Sequence, residues 1–407
     1  MKQYILTFND IKKKDIKKAG GKGVNLGELW RIEGIVVADG FCVTTQAYRK
    51  TIQNNAELDI LFNQLSLLKS DDRKQISEIS KKIRILIENL DMGNDIKEEI
   101  VNELSVLGIN EAYAIRSSAT AEDLPNASFA GQQDSYLNIS GREDILRHII
   151  KCWASLFTDR AVTYRIKNAF DHRKVLLSVL VQKMLMSEAS GTMFTAEPMT
   201  SDRKTLTIDA GFGLGEALVS GLVNPDTYKI VEGRITKKNI GKKEIEIKAA
   251  QNGGIEETKV EDSRQENQVL DDEQIDKLAT IGRRIESHFG YPQDIEWSLV
   301  NESFYILQTR PITTLYPLPN TGDALTPRVY MSIGHTQMMT DAMKPLGMSF
   351  FKMISEVKLD EIGGRMYSDI THDLSSTRGR SRLLIATGKQ DPLIQGTIKN
   401  LIENKKF

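Results

Sequence analysis

The sequence predicts an α+β fold built as two successive subdomains, a linker and the start of a further domain. Three observations predict it. Residues 1–190 mix short strands with amphipathic helices, and from Leu176 the pattern turns to closely spaced strands closed by a helix and a hairpin. The segment from Leu315 to Arg328 then carries Pro317, Pro319 and Pro327, which fits a linker. These give subdomains over 1–190 and 191–314, a linker over 315–328 and a last segment over 329–407. The 407 residues leave room for two or three cores. The last segment is short for an ordinary domain, so the chain is expected to stop early in it.

The elements follow in order. Gly20-Gly-Lys-Gly23 precedes a helical pattern with Val24, Leu26, Leu29 and Trp30. Over residues 55–106, Leu61, Leu65, Leu68, Ile76, Ile79, Ile83 and Ile87 recur at helical spacing and read as the core stripe of a helical hairpin. Tyr113 opens a buried strand that runs into a loop of small and hydroxyl residues ending at Ser135. Strands are expected at Leu176–Met184, Ser190–Thr195, Thr205–Asp209 and Thr227–Val231. Asp271 or Asp272 caps a helix with Ile275, Leu278, Ile281 and Ile285 on one face, and Gly290 with Pro292 stops it. A hairpin closes the unit. With Asn301-Glu302-Ser303 as a three-residue turn, Val300 pairs with Phe304, Glu296 stands opposite Gln308 and Asp294 opposite Arg310. Ile295, Trp297 and Leu299 then pack on the other face with Tyr305, Leu307 and Thr309.

Composition excludes several classes of function. With 54 basic and 55 acidic residues the net charge is -1, so no global field draws nucleic acid or an anionic membrane, and any anion site must be local. The first residues form too short an apolar run for a signal peptide, and no stretch approaches the length of a spanning helix. A cytoplasmic protein is expected. Cys42 and Cys152 sit in apolar surroundings and read as buried thiols, and the five histidines lack ligand spacing.

Within the loop after Tyr113, Ser117, Ser118, Thr120, Ser128 and Ser135 offer hydroxyls. Ala130 and Gly131 admit close backbone approach, and Arg116 supplies a planar charged fork. Such a loop can wrap a polyphosphate; the same composition also suits a surface Ω loop. Lys22 can reach a phosphate from its glycine turn, which equally reads as a plain helix entry and is not a Walker A motif. Gln182 ends an apolar strand that would serve either a core or an adenine edge. Gly211-Phe-Gly-Leu-Gly-Glu216 departs from the dinucleotide fingerprint, because its third glycine comes one residue early. Glu296 beside Gln308, next to Arg310, suits Mg²⁺ bridging phosphate oxygens, or else a solvated sheet face.

The run from Tyr113 to Ser135 resembles the signature of the nucleotide-binding domain shared by phosphoenolpyruvate synthases, pyruvate phosphate dikinases and rifamycin phosphotransferases. Gly20–Gly23, Gln182, Gly211–Glu216, Asp294-Ile-Glu-Trp297 and Leu307-Gln-Thr-Arg-Pro311 resemble further motifs of that family in the same order. The resemblance implies an ATP-grasp-like domain binding ATP and Mg²⁺. It implies ATP contacts by Lys22, Arg116, Gly131, Ser135, Gln182, Glu296, Gln308 and Arg310. Glu296 and Gln308 would be the metal ligands, and Arg116 and Arg310 would carry charge in catalysis. Gly211–Glu216 is read as structural support only.

In that family a histidine on a separate domain, in a Gly-Gly-x-x-Ser/Thr-His context, carries the phosphate to a second site. Neither His335 nor His372 stands in such a context, so the carrier domain is expected to be missing from this chain. Arg328–Gly347 resembles the start of the drug-binding domain of rifamycin phosphotransferases. Met331, Met338, Met339, Met343 and Met348 there suit an adaptable pocket or ordinary core packing. The resemblance implies the N-terminal part of an enzyme turning ATP, a rifamycin and water into AMP, phosphate and phosphorylated drug. The alternatives are a phosphoenolpyruvate synthase-like enzyme acting on pyruvate and a non-catalytic Mg-ATP-binding fragment.

Overall fold

The computed structural model describes residues 4–120, 134–319, 328–336, 342–355 and 358–403, with the backbone of 123–124 and 127–128. The chain forms two units, one ending at Thr314 and one beginning at Leu315.

The first unit holds two antiparallel sheets. Its opening sheet uses β1 (Ile5–Thr7), β2 (Gly40–Val43), β3 (Tyr113–Ala119), β6 (Ser135–Ile139) and β7 (Leu177–Lys183), in the order β1-β2-β7-β3-β6. Between β3 and β6, the short strands β4 (Asp123–Leu124) and β5 (Ala127–Ser128) pair with each other. Because side chains alternate across a strand, Phe41, Val43, Ile115, Val179 and Val181 share one face. They pack there in a core with helices α2 (Thr45–Ile52), α3 (Ala56–Ser66), α4 (Arg73–Glu88), α5 (Asn94–Leu107) and α6 (Arg142–Ser155). The expected helical hairpin over 55–106 is therefore three helices, α3 to α5. Its apolar stripe is core as expected: Leu61, Leu65, Ile76, Ile83 and Ile87 are buried. Helix α7 (Asp159–Lys167) follows, and its Arg165 is fully buried against His172, donating from Nε to His172 Nδ1 at 3.0 Å.

The second sheet runs β11-β10-β9-β8-β14-β15, from β8 (Ala189–Phe194), β9 (Thr205–Phe212), β10 (Asp226–Val231), β11 (Arg234–Asn239), β14 (Gln293–Val300) and β15 (Ser303–Pro311). One short helix, α8 (Glu216–Val219), and a separate hairpin, β12 (Ile245–Ala249) with β13 (Ile255–Lys259), are inserted along it. Met193, Leu206, Ile208, Tyr228, Ile230, Ile295 and Trp297 line its apolar face beneath α9 (Asp272–Phe289). Asp271 caps α9 with a full capping box: its carboxylate accepts from Gln274 N at 2.8 Å, and Gln274 Oε1 accepts from Asp271 N at 3.0 Å. Gly290 ends the helix in the left-handed conformation, φ 79°.

The closing hairpin departs from expectation in its turn. Val300 pairs with Ser303, so the turn is the two residues Asn301 and Glu302, both left-handed at φ 47° and 61°. Phe304 and Ile306, not Tyr305 and Leu307, therefore join Ile295, Trp297 and Leu299 in the core. A β-bulge between Glu296 and Trp297 adds one residue to β15, and beyond it Glu296 is opposite Gln308 and Asp294 opposite Arg310. The two departures cancel, and the expected pairing of the site residues results.

Helix α1 (Ile16–Trp30) packs against both β3 and β15. It is interrupted at Gly20, whose φ of 68° and ψ of 177° are not helical. A Cβ there would lie 2.3 Å from Ser118 Oγ and 2.4 Å from Ser118 O, so only glycine lets α1 approach β3 so closely. Cys42 and Cys152 are both fully buried free thiols.

The second unit contains a sheet of β16 (Tyr330–Ser332), β18 (Arg365–Asp369) and β17 (Asp360–Ile362) in that order. Helices α10 (Ile333–Thr336), α11 (Pro345–Ile354), α12 (Thr371–Leu374), α13 (Thr377–Gln390) and α14 (Pro392–Glu403) complete it. Ile370, Leu374, Leu383 and Ile398 form its core, with Met331 against them. Met348 is buried, whereas Met338 and Met339 lie outside the described residues. Among the described residues no helix is long and apolar enough to cross a membrane.

Candidate functional site

Between the two sheets of the first unit lies an open cleft. Sheet geometry dictates what faces it. In the first sheet Arg116 and Ala114 alternate with the buried Ile115, and Gln182 is the partner of Ala114 on β7. In the second sheet Glu296 alternates with Ile295 and Trp297 and is the partner of Thr192 on β8. Arg116, Ala114, Gln182, Glu296 and Thr192 all line the cleft.

One part of the wall is apolar, made by Leu137, Met184, Leu185, Leu214, Val219 and Leu307. The other part is charged. Arg116 Nη1 stands 3.6 Å from Glu296 Oε2 across the cleft, and Arg116 Nε is buried without a hydrogen-bond partner among the described residues. A buried guanidinium N–H left unmatched is costly, and an oxygen-rich anion would satisfy it. On the same sheet face Arg310 Nε donates to Asp294 Oδ2 at 2.8 Å. Burial raises the Asp294 carboxyl above the ordinary range, against the pull of Arg310. Further along, burial also raises Asp209, whose Oδ1 accepts from Thr227 Oγ1 at 2.7 Å.

Lys22 projects from α1 just past the break at Gly20, and its Nζ donates to Ser117 O at 3.2 Å. Ser118 fixes that approach: its Oγ donates to Ala19 O at 2.8 Å and accepts from Gly23 N at 3.2 Å. Gln182 is 1% exposed, and its Nε2 donates to Ala38 O at 3.3 Å. Ser135 is exposed and is the strand partner of Arg116. Gln308 is buried beside Glu296 but does not line the cleft. Gly131 lies outside the described residues, as do the side chains of Ser128 and Ala130.

Several cleft residues had no reading as contacts in the sequence. Leu214, Gly215 and Glu216 line it directly, so the Gly211–Glu216 turn is wall and not mere support. Leu307 is the extra residue at one β-bulge, and Leu137 shares another with Asn138 opposite Ala114, which no local pattern announces. Among the described residues no three His, Cys, Asp or Glu side chains converge as a metal cage. The carboxylates lining the cleft are Glu296 and Glu216, and behind Glu296 stands the amide of its strand partner Gln308. That set suits a cation such as Mg²⁺ that keeps water and shares its ligands with phosphate.

Residues 16–321 match the family described as pyruvate phosphate dikinase, AMP/ATP-binding domain. The chain is 52% identical to a rifampicin phosphotransferase of Bacillus subtilis (strain 168) over 407 residues, 100% of this chain and 47% of that protein. It is 47% identical to a rifampicin phosphotransferase of Streptomyces sviceus over 405 residues, 100% of this chain and 46% of that protein. A probable phosphoenolpyruvate synthase of Methanocaldococcus jannaschii is 44% identical over 320 residues, 77% of this chain and 27% of that protein. The chain spans about half the length of the rifampicin phosphotransferases it matches.

Proposed function

Since this chain belongs to the pyruvate phosphate dikinase AMP/ATP-binding domain family, we propose that it binds Mg-ATP in the cleft between its two sheets. In this reading it is the nucleotide half of an ATP-dependent phosphotransferase acting on rifamycin antibiotics in the cytoplasm, and so confers resistance. The observation that carries the reading is the division of the cleft. Leu137, Met184, Leu185, Leu214 and Leu307 offer an apolar slot for a purine, while Arg116 with its unmatched Nε faces Glu296 where phosphates and metal would meet.

Each residue then has a physical task. Arg116, Arg310 and Lys22 balance charge on the phosphates, and Glu296 with Gln308 holds Mg²⁺. Gln182, Ser135 and Gly131 complete the nucleotide contacts. When bound, the metal neutralises charge between the phosphates being separated. The complete enzyme would convert ATP, drug and water to AMP, phosphate and phosphorylated drug through a histidine domain supplied from outside these residues. The domain division at 190, with a linker over 315–328 and a drug-binding segment from 329, belongs to the same proposal.

Matching of this whole chain to part of proteins named rifampicin phosphotransferase supports the drug as acceptor over pyruvate, because the match to a probable phosphoenolpyruvate synthase covers only 77% of the chain. Calorimetric titration with Mg-ATP tests the binding step, and no heat of binding would overturn it. Adding a separately expressed histidine domain with rifampicin or pyruvate tests the acceptor. Mass spectrometry then shows which molecule gains phosphate, and phosphorylation with pyruvate alone would favour the alternative.

A further inference from the structure

A clasp joins the two sheets at the rim of the cleft, formed by residues outside the nucleotide motifs. Strands β3 and β6 lose register there: Tyr113 pairs with Ile139 and Ile115 with Tyr136, so Leu137 and Asn138 together face Ala114. Asn138 adopts φ 56°, a left-handed conformation that Asn tolerates better than most residues. The bulge gives its two residues separate tasks. Leu137 lines the cleft, whereas Asn138, 7% exposed, holds the tip of the β12–β13 hairpin.

Asn138 Nδ2 donates to Ala250 O and to Gly254 O, both at 2.8 Å, and Gly254 N donates back to Asn138 O at 3.0 Å. At its other side the hairpin grips the opposite wall. Leu214 N donates to Ile247 O at 2.8 Å, and Gly213 has φ 72° where a Cβ would stand 2.4 Å from Ile247 O. The root of the hairpin is fixed too. The buried Asp226 carboxylate accepts from Lys243 Nζ, from Gly241 N at 3.0 Å and from Val269 N at 2.7 Å. The hairpin is thus a strap, anchored on the second sheet beside Leu214–Glu216 and clasped on the first beside Leu137.

We propose that Asn138 is a positioning residue for the nucleotide: through the strap it holds the Leu137 wall and the Leu214–Glu216 wall at the spacing that retains a bound ligand. The inference rests on the reading of the cleft as an ATP site. Release of ligand requires the walls to part, and parting them breaks two side-chain hydrogen bonds of Asn138 that need not break while the cleft is closed.

The test uses Asn138→Gly, which keeps the left-handed backbone and its carbonyl while removing the amide. Release of a fluorescent ATP analogue in the presence of Mg²⁺ is followed by stopped flow, alongside thermal unfolding of the unliganded chain. Release should quicken about tenfold, the scale of two neutral hydrogen bonds, and by more than the accompanying loss of unliganded stability accounts for. An unchanged release rate overturns the proposal, as does a faster release fully matched by loss of unliganded stability. Should the variant fail to fold, hydrogen exchange of the wild-type chain decides. Slower exchange at Gly254 and at residues 137–139 on adding Mg-ATP supports the clasp, and no change overturns it. A wild-type chain that retains no analogue at all would overturn the nucleotide reading itself, and this proposal with it.

Discussion

Arg116 Nη1 and Glu296 Oε2 stand 3.6 Å apart, one rooted in the first sheet and the other in the second. On the proposed reading of the cleft, this contact is one that ligands exchange. A cation that takes the carboxylate frees the guanidinium for phosphate, so metal and nucleotide should bind together. Glu296→Gln keeps the shape and removes the charge. It should weaken Mg-ATP binding at least about tenfold, or ~1.4 kcal/mol, and flatten the dependence of affinity on Mg²⁺ concentration. Titrations at several Mg²⁺ levels check this, and a variant with wild-type metal dependence would remove Glu296 from the metal site.

Gly20→Ala should be costly twice over. The added Cβ meets Ser118 at 2.3–2.4 Å, and the φ of 68° strains any side chain, a penalty of about 1–3 kcal/mol before the clash is counted. Relief requires α1 to move away from β3, which carries Lys22 with it. Urea denaturation should show the loss of stability, and ATP affinity should fall more than in a variant of equal stability altered within the α4 core. Equal affinities in the two variants would contradict the coupling.

Lys243 and Asp226 form an ion pair that is 1% and 0% exposed. Removing one member leaves the other a buried charge without its counter-charge, at a cost of about 3–5 kcal/mol. Lys243→Met should lower the urea midpoint accordingly. The double variant Lys243→Met with Asp226→Asn should recover part of the loss, since no charge is then left alone. Failure of any recovery in the double variant would show that the hydrogen bonds to Gly241 and Val269, and not the charge balance, dominate there.

His172 links stability to pH. Burial, and then the neighbouring Arg165, push it from its ordinary 6.5 down to about 4. The unfolded chain therefore takes up the proton first as pH falls. The contribution is fully present above about 6.5 and is lost as pH drops from there through about 4. His172→Gln retains an acceptor for Arg165 without the titration. Its melting midpoint should decline less steeply than wild type between pH 6.5 and 4, as measured by circular dichroism; parallel curves would refute the assignment.

What was legible in the sequence was local. Asp271 and Gly290 bracket α9 through their own backbone neighbours, so residue type placed the helix ends to within the choice of Asp271 or Asp272. The boundary between the two units, at Thr314 and Leu315, falls where the proline-bearing segment begins. The hairpin turn was misread because Glu302 occupies a left-handed position that its type does not advertise. The bulge that restores the Glu296–Gln308 pairing sets Leu307 on the cleft wall, and no residue type in the strand marks its place. The three helices over 56–107 read as two because the connection over 67–72 has no glycine or proline and its Leu68 continues the apolar stripe. The clasp of Asn138 joins positions more than 100 residues apart and leaves no trace in either segment.

The two thiols offer a practical opening. Cys42 and Cys152 are the only cysteines of the chain, both wholly enclosed, and burial raises Cys42 to about 12 and Cys152 higher still. A thiol held protonated and out of reach does not react with maleimides. One cysteine introduced on each sheet would therefore take spin labels or fluorophores cleanly in an otherwise native background, turning the separation of the cleft walls into a distance that can be read in real time.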